Sequence, residues 1–207
     1  MIKCLETFLD TAGEETKRHS LDTENIAKII SKEAIKAGMI TEKEKKIFFE
    51  CARYHDIGKS LIPDSILYKP EKLSDKDFII IKKHPIFGKE ILESFQDKIP
   101  SGIYPYLYES VTQHHLRIDK TGYPFIFQRK GLSDMVQLVS ICDTLSAMTM
   151  NRCYHKGINI RDAIINLENE NPRKFSDKIF EILDKSFEIE KEKQIKFTEN
   201  DLTFAER

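Results

Sequence analysis

In the stretch EKKIFFECARYHDIGK, residues 44–59, an apolar helical pattern is followed directly by a His-Asp pair. A capping box at 41–44 predicts that a helix opens just before this stretch. His55 and Asp56 then fall at the carboxyl end of that helix, shortly before Gly58. Because glycine tolerates sharp backbone bends, we expect a tight turn after the pair. The segment therefore predicts a helix that ends by presenting two polar side chains.

Helical periodicity continues through most of the chain, so we predict an all-α fold. Apolar residues recur at three- and four-residue steps before Gly38, which is a plausible helix stop. Serine or proline stands where several further helices would begin. With 8 Gly, 7 Pro and no Trp, the composition favours a helical domain over a turn-rich β sandwich. The predicted helices cover about residues 14–37, 41–54, 74–83, 85–95, 105–115, 133–150, 160–169 and 176–188.

The length of 207 residues suits one domain with a tail. We divide the chain into an N-terminal lead-in segment at 1–14, a main domain at 15–187 and a charged C-terminal tail at 188–207. The lead-in contains a short amphipathic piece, and the tail resembles a solvated segment. All candidate functional residues fall in the main domain.

Composition excludes several classes of protein. The 33 Lys and Arg balance 34 Asp and Glu, whereas a binder of nucleic-acid polymers is normally basic over a whole face. No apolar run approaches the roughly 18 residues of a membrane span, and the N-terminus does not resemble a signal peptide. The four cysteines form no CxxC pair, which predicts reduced thiols in a cytoplasmic protein, with Cys51 and Cys142 in the core.

The pair His55 and Asp56 is the first candidate metal site. An imidazole and a carboxylate are both metal ligands, and side by side they can hold two ions or bridge them. A bare His-Asp pair also occurs often by chance, as a helix-end His and a cap-like Asp. The longer string HDIGK is much rarer, and it places Lys59 within reach of a phosphate held by the metals.

Further candidate ligands are spread along the chain. Glu15 and His19 are four residues apart and share one helix face, although a solvated face explains an isolated pair of this kind better. His114 and His115 diverge by about 100° at a helix end, so they serve different ions or reach one pocket from different sides. Asp143 lies in an apolar helix, where a lone carboxylate is costly unless it is paired or binds a metal.

Three more residues carry weaker signals. His84 precedes Pro85 and equally suits a helix cap. Arg152 suits a bidentate grip on a phosphate, although alone it is better explained as a surface residue. Tyr123, within Gly-Tyr-Pro, could simply pack a turn. Together with the other candidates, the chain assembles one Glu, five His and two Asp in order, with Lys59 and Arg152 nearby.

The order of these residues resembles the HD-GYP family, a branch of the HD phosphohydrolases. The resemblance runs from about Glu15 to Phe187, which is most of the chain. As a set, the strings that carry it are highly specific. They are HDIGK at 55–59, IPDSILYKPEKLS at 62–74, KKHPIFGKEIL at 82–92, HHLRIDKTGYP at 114–124 and DTLSAMTMNRCY at 143–154.

Four positions depart from the family pattern. Leu116 replaces the Glu of the usual HHE, and Lys120 replaces the Gly of the usual Asp-Gly. Ser146 stands at the second Asp of the D-x-x-D string, and His155 stands at a basic position after Arg152. None of these changes removes a metal ligand of the pattern. We expect these changes to affect the affinity for substrate and the preference for guanine more than they affect metal binding.

The resemblance implies an all-helical bundle with the metal centre in its core. It implies a metal-dependent phosphodiesterase that hydrolyses cyclic di-GMP, a bacterial second messenger, to pGpG and further to GMP if a third metal site is filled. Two or three divalent ions, iron or manganese, are expected. The implied ligands are Glu15, His19, His55, Asp56, His84, His114, His115 and Asp143, with Asp56 bridging and Glu15 supplying the third site. Lys59, Tyr123 and Arg152 match residues that contact substrate.

Two alternatives remain open at this point. One is an HD hydrolase for another cyclic dinucleotide or a nucleotide, which the changes at Leu116 and Lys120 allow. The other is a catalytically silent module that binds the nucleotide and signals through a protein partner or a homo-oligomer. Silent relatives would be expected to lose metal ligands, and this chain keeps them all. The expected location is the bacterial cytoplasm, with no membrane insertion.

Overall fold

The computed structural model describes residues 2–127, 131–150, 156–170 and 174–189. The described part folds as a helical bundle, as predicted, and contains no β-strand beyond an isolated bridge between Leu116 and Gly122. Its α-helices are α1 (Lys3–Thr11), α2 (Gly13–Lys36), α3 (Lys45–Tyr54), α4 (Asp64–Leu67), α5 (Asp75–Ile81), α6 (His84–Ser94), α7 (Tyr104–Gln113), α8 (Asp134–Thr149), α9 (Ile160–Glu170) and α10 (Asp177–Ser186). Short 3₁₀ turns cover Ile57–Leu61, Gln96–Lys98 and Phe125–Phe127.

Local sequence signals place most of the helix ends. After α2, the N–H groups of Gly38 and Met39 donate to carbonyls of the last helical turn, and Gly38 adopts a φ of 71°. The capping box at 41–44 is formed, but the regular helix begins only at Lys45. A second capping box joins Ser74 to Asp77 at the start of α5. The helical pattern of the sequence is therefore confirmed, with shifts of a few residues.

The core is built where α2, α3, α7 and α8 pack together. In α8, Leu138, Ile141 and Leu145 are fully buried, and apolar residues surround the helix on nearly all sides. Cys51 and Cys142 are fully buried in the same core, as predicted. A helix buried on all faces can carry a polar side chain only where that group has a partner. This makes the few polar residues of α8 informative about the site.

Helix α1, within the predicted lead-in, packs against this bundle. Its Leu5 and Leu9 are fully buried. Glu6 accepts hydrogen bonds from the guanidinium of Arg53 at 2.5 Å and from the hydroxyl of Tyr54 at 2.7 Å. These contacts tie α1 to the end of α3, immediately before the His-Asp pair. The boundary placed at residue 14 stays a prediction.

Gly58 allows a close approach between two backbones. A Cβ at Gly58 would overlap the carbonyl oxygen of His84 and the amide nitrogen of Gly88 on α6. A Cβ at Gly88 would in turn overlap the side chain of Val111. The tight turn expected here is present as a 3₁₀ turn, in which Gly58 does not adopt the left-handed conformation. The glycine is needed because the turn after Asp56 lies directly on α6.

No helix in the described ranges has the length and apolar character that crossing a bilayer would require.

Candidate metal centre

Asp56 lies at the centre of a buried cluster of histidines. Its Oδ1 is 3.2 Å from Nε2 of His84 and 3.6 Å from Nε2 of His114. Its Oδ2 is 3.3 Å from Nε2 of His55 and 3.8 Å from Nε2 of His19. The two oxygens of one carboxylate therefore face two different sets of imidazoles. This is the geometry expected of a carboxylate that bridges two ions.

The ligand atoms form two groups, and within each group they lie no more than 4.8 Å apart. We call them the first and the second donor group. The first donor group consists of Asp56, His84, His114 and His115. The second donor group consists of His19, His55 and Asp143. Seven of the eight ligands predicted from the sequence thus converge.

The second donor group depends on the packing of α2 against α8. Nε2 of His19 is 2.9 Å from Oδ1 of Asp143, although the two residues are 124 positions apart in sequence. The same oxygen lies 3.6 Å from Nε2 of His55 at the end of α3. The other oxygen of Asp143 is 3.8 Å from Nδ1 of His115, so this carboxylate also faces the first donor group. The prediction that Asp143 has charged or metal partners is consistent with these contacts.

Three of the histidines are held by backbone carbonyls through Nδ1. The carbonyl acceptors are those of Ala52 for His55 at 2.7 Å, Ile81 for His84 at 2.8 Å and Ser110 for His114 at 2.9 Å. A carbonyl can only accept, so Nδ1 carries the proton in each of these rings. Nε2 of a neutral ring then keeps its lone pair and points into the cluster. Such second contacts are typical of histidines that bind metals.

The donors fit a cation. Nε2 of His84 and Nε2 of His114 are only 3.2 Å apart, and two lone pairs at this distance repel unless a cation or a proton lies between them. Nε2 of His55 and Oδ1 of Asp56 are buried and have no hydrogen-bond partner within the described ranges. Unpaired buried polar atoms are costly. Imidazole nitrogens and carboxylate oxygens are the ligands that divalent iron, manganese, zinc and nickel accept.

Electrostatics prepare the cluster for a cation. Burial lowers the pKa of His84 to about 3, so its ring is neutral near pH 7. Burial alone would raise the pKa of Asp56, but Lys59 and His55 hold it well below its usual value. Burial would lower the pKa of His55, yet the carboxylates of Asp56 and Asp143 raise it to about 10. The carboxylates are therefore ionised, and without a metal His55 carries their compensating proton.

Two of the predicted substrate contacts lie beside the donor groups. Nζ of Lys59 is 2.5 Å from Oδ2 of Asp56, so the lysine is paired with the central carboxylate. The ring of Tyr123 stacks on the imidazole of His115, with centroids 4.5 Å apart and an interplanar angle of 28°. Gly122 has a φ of 99°, and a Cβ there would overlap the carbonyl oxygen of His115. The glycine of the GYP segment thus allows Tyr123 to lie against the ligand.

Two predicted residues are not placed in the cluster. Glu15 is half-buried on α2, one turn before His19, and neither donor group includes it. Arg152 lies outside the described residues, as does His155. Their assignment as a third-site ligand and as substrate contacts stays a prediction.

Ser146 contacts the candidate metal ligand His19, whereas the family pattern led us to expect an effect on the binding of substrate. Its hydroxyl is fully buried and lies 2.9 Å from Nδ1 of His19. When Nε2 of His19 binds a cation, Nδ1 carries the proton and donates it to this hydroxyl. Leu116, at another departure from the family pattern, is almost fully buried. Ser146 thus gives His19 the support that backbone carbonyls give to the other three rings.

A second supporting contact was also missed. Ser140 donates its hydroxyl to the carbonyl of His114 at 2.6 Å, and Arg117 donates to that carbonyl at 2.8 Å and to Ser140 at 2.6 Å. The signal was present in the sequence, because Ser140, Asp143 and Ser146 recur every three residues in an otherwise apolar helix. That spacing places them on one helix face. It could have identified both supports.

The fold and the site together define a helical protein with a buried His and Asp centre suited to divalent cations. The chain belongs to the HD domain family, whose model matches residues 16–148, more than half of the sequence. The described structure is similar to the solved structure of a protein from Bdellovibrio bacteriovorus described as an HDG"Y"P protein, with a TM-score of 0.62. That match has 19% sequence identity and covers 84% of this chain and 52% of the other. It supports the predicted fold.

Curated relatives are similar over part of the chain. A cyclic di-GMP phosphodiesterase of Pseudomonas aeruginosa is 37% identical over 110 residues, which is 53% of this chain and 25% of the relative. A 3′3′-cGAMP-specific phosphodiesterase of Vibrio cholerae is 29% identical over 144 residues, which is 70% of this chain and 27% of the relative. The chain thus spans about a quarter of the length of these two relatives. The resemblance drawn from the motifs is confirmed at the level of the family.

Proposed function

We propose that this chain is a metal-dependent phosphodiesterase that hydrolyses cyclic di-GMP to the linear dinucleotide pGpG. The observation that carries the proposal is the single carboxylate of Asp56, which faces both donor groups. Two adjacent cation sites joined by one carboxylate are suited to phosphodiester hydrolysis, where attacking and leaving oxygens both need stabilisation. The P. aeruginosa relative supports cyclic di-GMP as the substrate.

The first donor group would hold one divalent ion and the second donor group another, with Asp56 shared between them. Iron or manganese is our proposal for both ions. Bound divalent ions supply Lewis-acid activation of water and neutralise charge on the phosphate. A third ion beside Glu15 is part of the proposal, and it would favour a second cleavage to GMP.

The chain's own residues contribute positioning and charge. Lys59, on the turn after Asp56, would neutralise negative charge that develops on a phosphate oxygen in the transition state. To do so, its ammonium must share its contact with Asp56 or move away from it. Tyr123 would line the substrate pocket against His115. Arg152 would bind a phosphate through its planar guanidinium, as the motif resemblance implies.

A second candidate substrate is 3′3′-cGAMP. The V. cholerae relative is named as specific for this cyclic dinucleotide, and it is similar over 70% of the chain. Leu116 and Lys120 stand where the sequence departs from the cyclic di-GMP pattern. Because cyclic dinucleotides act as messengers in the bacterial cytoplasm, we expect the proposed enzyme to work there.

A product assay tests this function. The protein is purified without oxygen, its bound metals are measured, and it is incubated with cyclic di-GMP or 3′3′-cGAMP while linear products and mononucleotides are separated by chromatography. We expect pGpG from the wild type and a loss of more than about a hundredfold in Asp56→Ala. Asp64→Ala, which removes an exposed carboxylate on α4, is the matched control and should retain activity.

The outcomes separate the candidate functions. If 3′3′-cGAMP is cleaved faster than cyclic di-GMP, it replaces cyclic di-GMP as the proposed substrate. A full metal content without cleavage of either nucleotide would overturn the enzyme and favour the nucleotide-binding module. Full activity in Asp56→Ala would overturn the proposed site.

A further inference from the structure

Lys82 brings a positive charge to the aromatic side of the metal centre. It follows α5 directly and is half-buried. Its ammonium nitrogen lies 4.6 Å from the ring centroid of Phe78 and 5.3 Å from the ring centroid of Tyr123. Both distances fall within the range of cation–π attraction. The two rings therefore limit where this ammonium can move.

Tyr123 connects this lysine to the donor groups. The tyrosine ring stacks on His115 at 4.5 Å and lies 6.2 Å from the ring of His84. Both histidines belong to the first donor group. Only one aromatic ring therefore separates the Lys82 ammonium from a candidate metal ligand. The motif comparison did not select Lys82 as a site residue.

Two other cations in the described part of the centre contact protein groups. Lys59 is paired with Asp56 at 2.5 Å. Arg117 donates to the carbonyls of His114 and Leu116 and to the hydroxyl of Ser140. Lys82, by contrast, has two aromatic rings as its side-chain contacts and no carboxylate partner within the described ranges. Its charge is thus available to an anion from outside the protein.

We infer that Lys82 binds the second phosphate of the cyclic dinucleotide, the one that is not being cleaved. The inference rests on the proposed function. It adds a residue that would recognise the size and the charge of the substrate. A cyclic dinucleotide carries two phosphodiesters on one ring, and only one can lie between the two donor groups at a time. The other phosphate then lies outside the donor groups, where a positive charge of the protein would stabilise it. Lys82 supplies that charge through an ammonium that accepts several phosphate orientations.

Two substrates separate this role from general catalysis. Cyclic di-GMP has two phosphates, whereas bis(4-nitrophenyl) phosphate is a phosphodiester with one. Lys82→Met keeps most of the side-chain stem and removes the charge, and Lys82→Arg keeps the charge. Lys83→Met, at the neighbouring exposed lysine, is the matched control. Steady-state kinetics and metal content are measured for each variant.

We expect Lys82→Met to raise KM for cyclic di-GMP about tenfold, with kcat little changed, because one charge-assisted contact is lost. KM for the one-phosphate diester and the metal content should stay at the wild-type value. Lys82→Arg should restore most of the cyclic di-GMP affinity, and Lys83→Met should behave like the wild type.

Several results would overturn the assignment. An unchanged KM for cyclic di-GMP in Lys82→Met would exclude the contact. Equal losses on both substrates, or a lower metal content, would show that Lys82 acts on the metal centre itself. If Lys83→Met raises KM for cyclic di-GMP as much as Lys82→Met does, the effect of Lys82 is only a general attraction of anions. If the wild type cleaves the one-phosphate diester but neither cyclic di-GMP nor 3′3′-cGAMP, the proposed substrate class fails first, and the role of Lys82 fails with it.

Discussion

The two donor groups differ in what holds their histidines in place. In the first donor group, His84 and His114 are both anchored by backbone carbonyls. In the second donor group, His55 has a backbone anchor, but His19 depends on the side chain of Ser146. A backbone carbonyl is present whatever the residue, whereas a side-chain anchor changes with a single substitution. The anchor of His19 can therefore be removed by one substitution, whereas the carbonyl anchors of His55, His84 and His114 cannot.

The largest expected effect on metal content comes from replacing the carboxylates of Asp56 and Asp143. Asp56→Ala should reduce metal binding at both donor groups, because each oxygen of Asp56 faces a different group. Asp143→Ala should mainly affect the second donor group, where its carboxylate lies 2.9 Å from His19. Elemental analysis after dialysis should find less than about one ion per chain in Asp56→Ala and about one in Asp143→Ala. Equal metal contents in the two variants would remove the distinction between the groups.

The next expected effect is that the metal affinities of the two donor groups depend differently on pH. The pKa of His55 is raised to about 10, so a metal ion must displace a proton from the second donor group at neutral pH. Affinity there should increase up to about tenfold per pH unit and level off near pH 10. The pKa of His84 is lowered to about 3, so this ring releases no proton above about pH 4.

Calorimetry in buffers of different ionisation enthalpy measures the protons released for each ion bound. The release should fall as the buffer pH approaches 10, where about half of the metal-free chains have already lost the His55 proton. Binding without proton release at pH 7 would contradict the charged state of His55 in the metal-free protein.

A smaller effect is expected from the anchor of His19. Ser146→Ala removes the acceptor for Nδ1 and should weaken metal binding at the second donor group about tenfold, with the first donor group unchanged. Ser146→Asp, which provides a stronger acceptor, should restore the affinity. Ser31→Ala, at a buried hydroxyl on α2 that bonds a backbone carbonyl, is the control. Metal titration followed by competition with a chelator gives the affinities. Equal weakening of both groups would show that Ser146 acts through the whole fold.

The sequence predicted the features that depend on interactions between residues close together in the chain. Gly38, Ser74 and Pro85 mark helix ends because the cap, the capping box and the first helical proline are local interactions. The family motifs selected the candidate ligands as a set, and seven of the eight converge in the structure. Bringing His19 to Asp143 requires α2 to pack on α8, and no local pattern specifies that contact.

The supporting contacts were harder to predict than the ligands. Ser140 and Ser146 are small polar residues that are common on helices, and their role appears only once the neighbouring backbone is known. The sequence predicts the turn at Gly58 but not its crossing with α6, because the partners on α6 are distant in sequence. The direction of Glu15 relative to the centre depends on helix rotation at a half-buried position, which periodicity alone does not define.

The contact of Gly58 with α6 also bears on the order in which the protein assembles. This backbone crossing fixes the separation of Asp56 from His84 through main-chain packing. An ion is therefore not needed to bring Asp56 and His84 together, and it would enter a framework that is already formed. Amide hydrogens on both sides of the crossing should stay protected from exchange with solvent in the metal-free protein. Metal loading of the protein would then be a late step on a folded chain, and a chain that loses its metal in the cell could be loaded again.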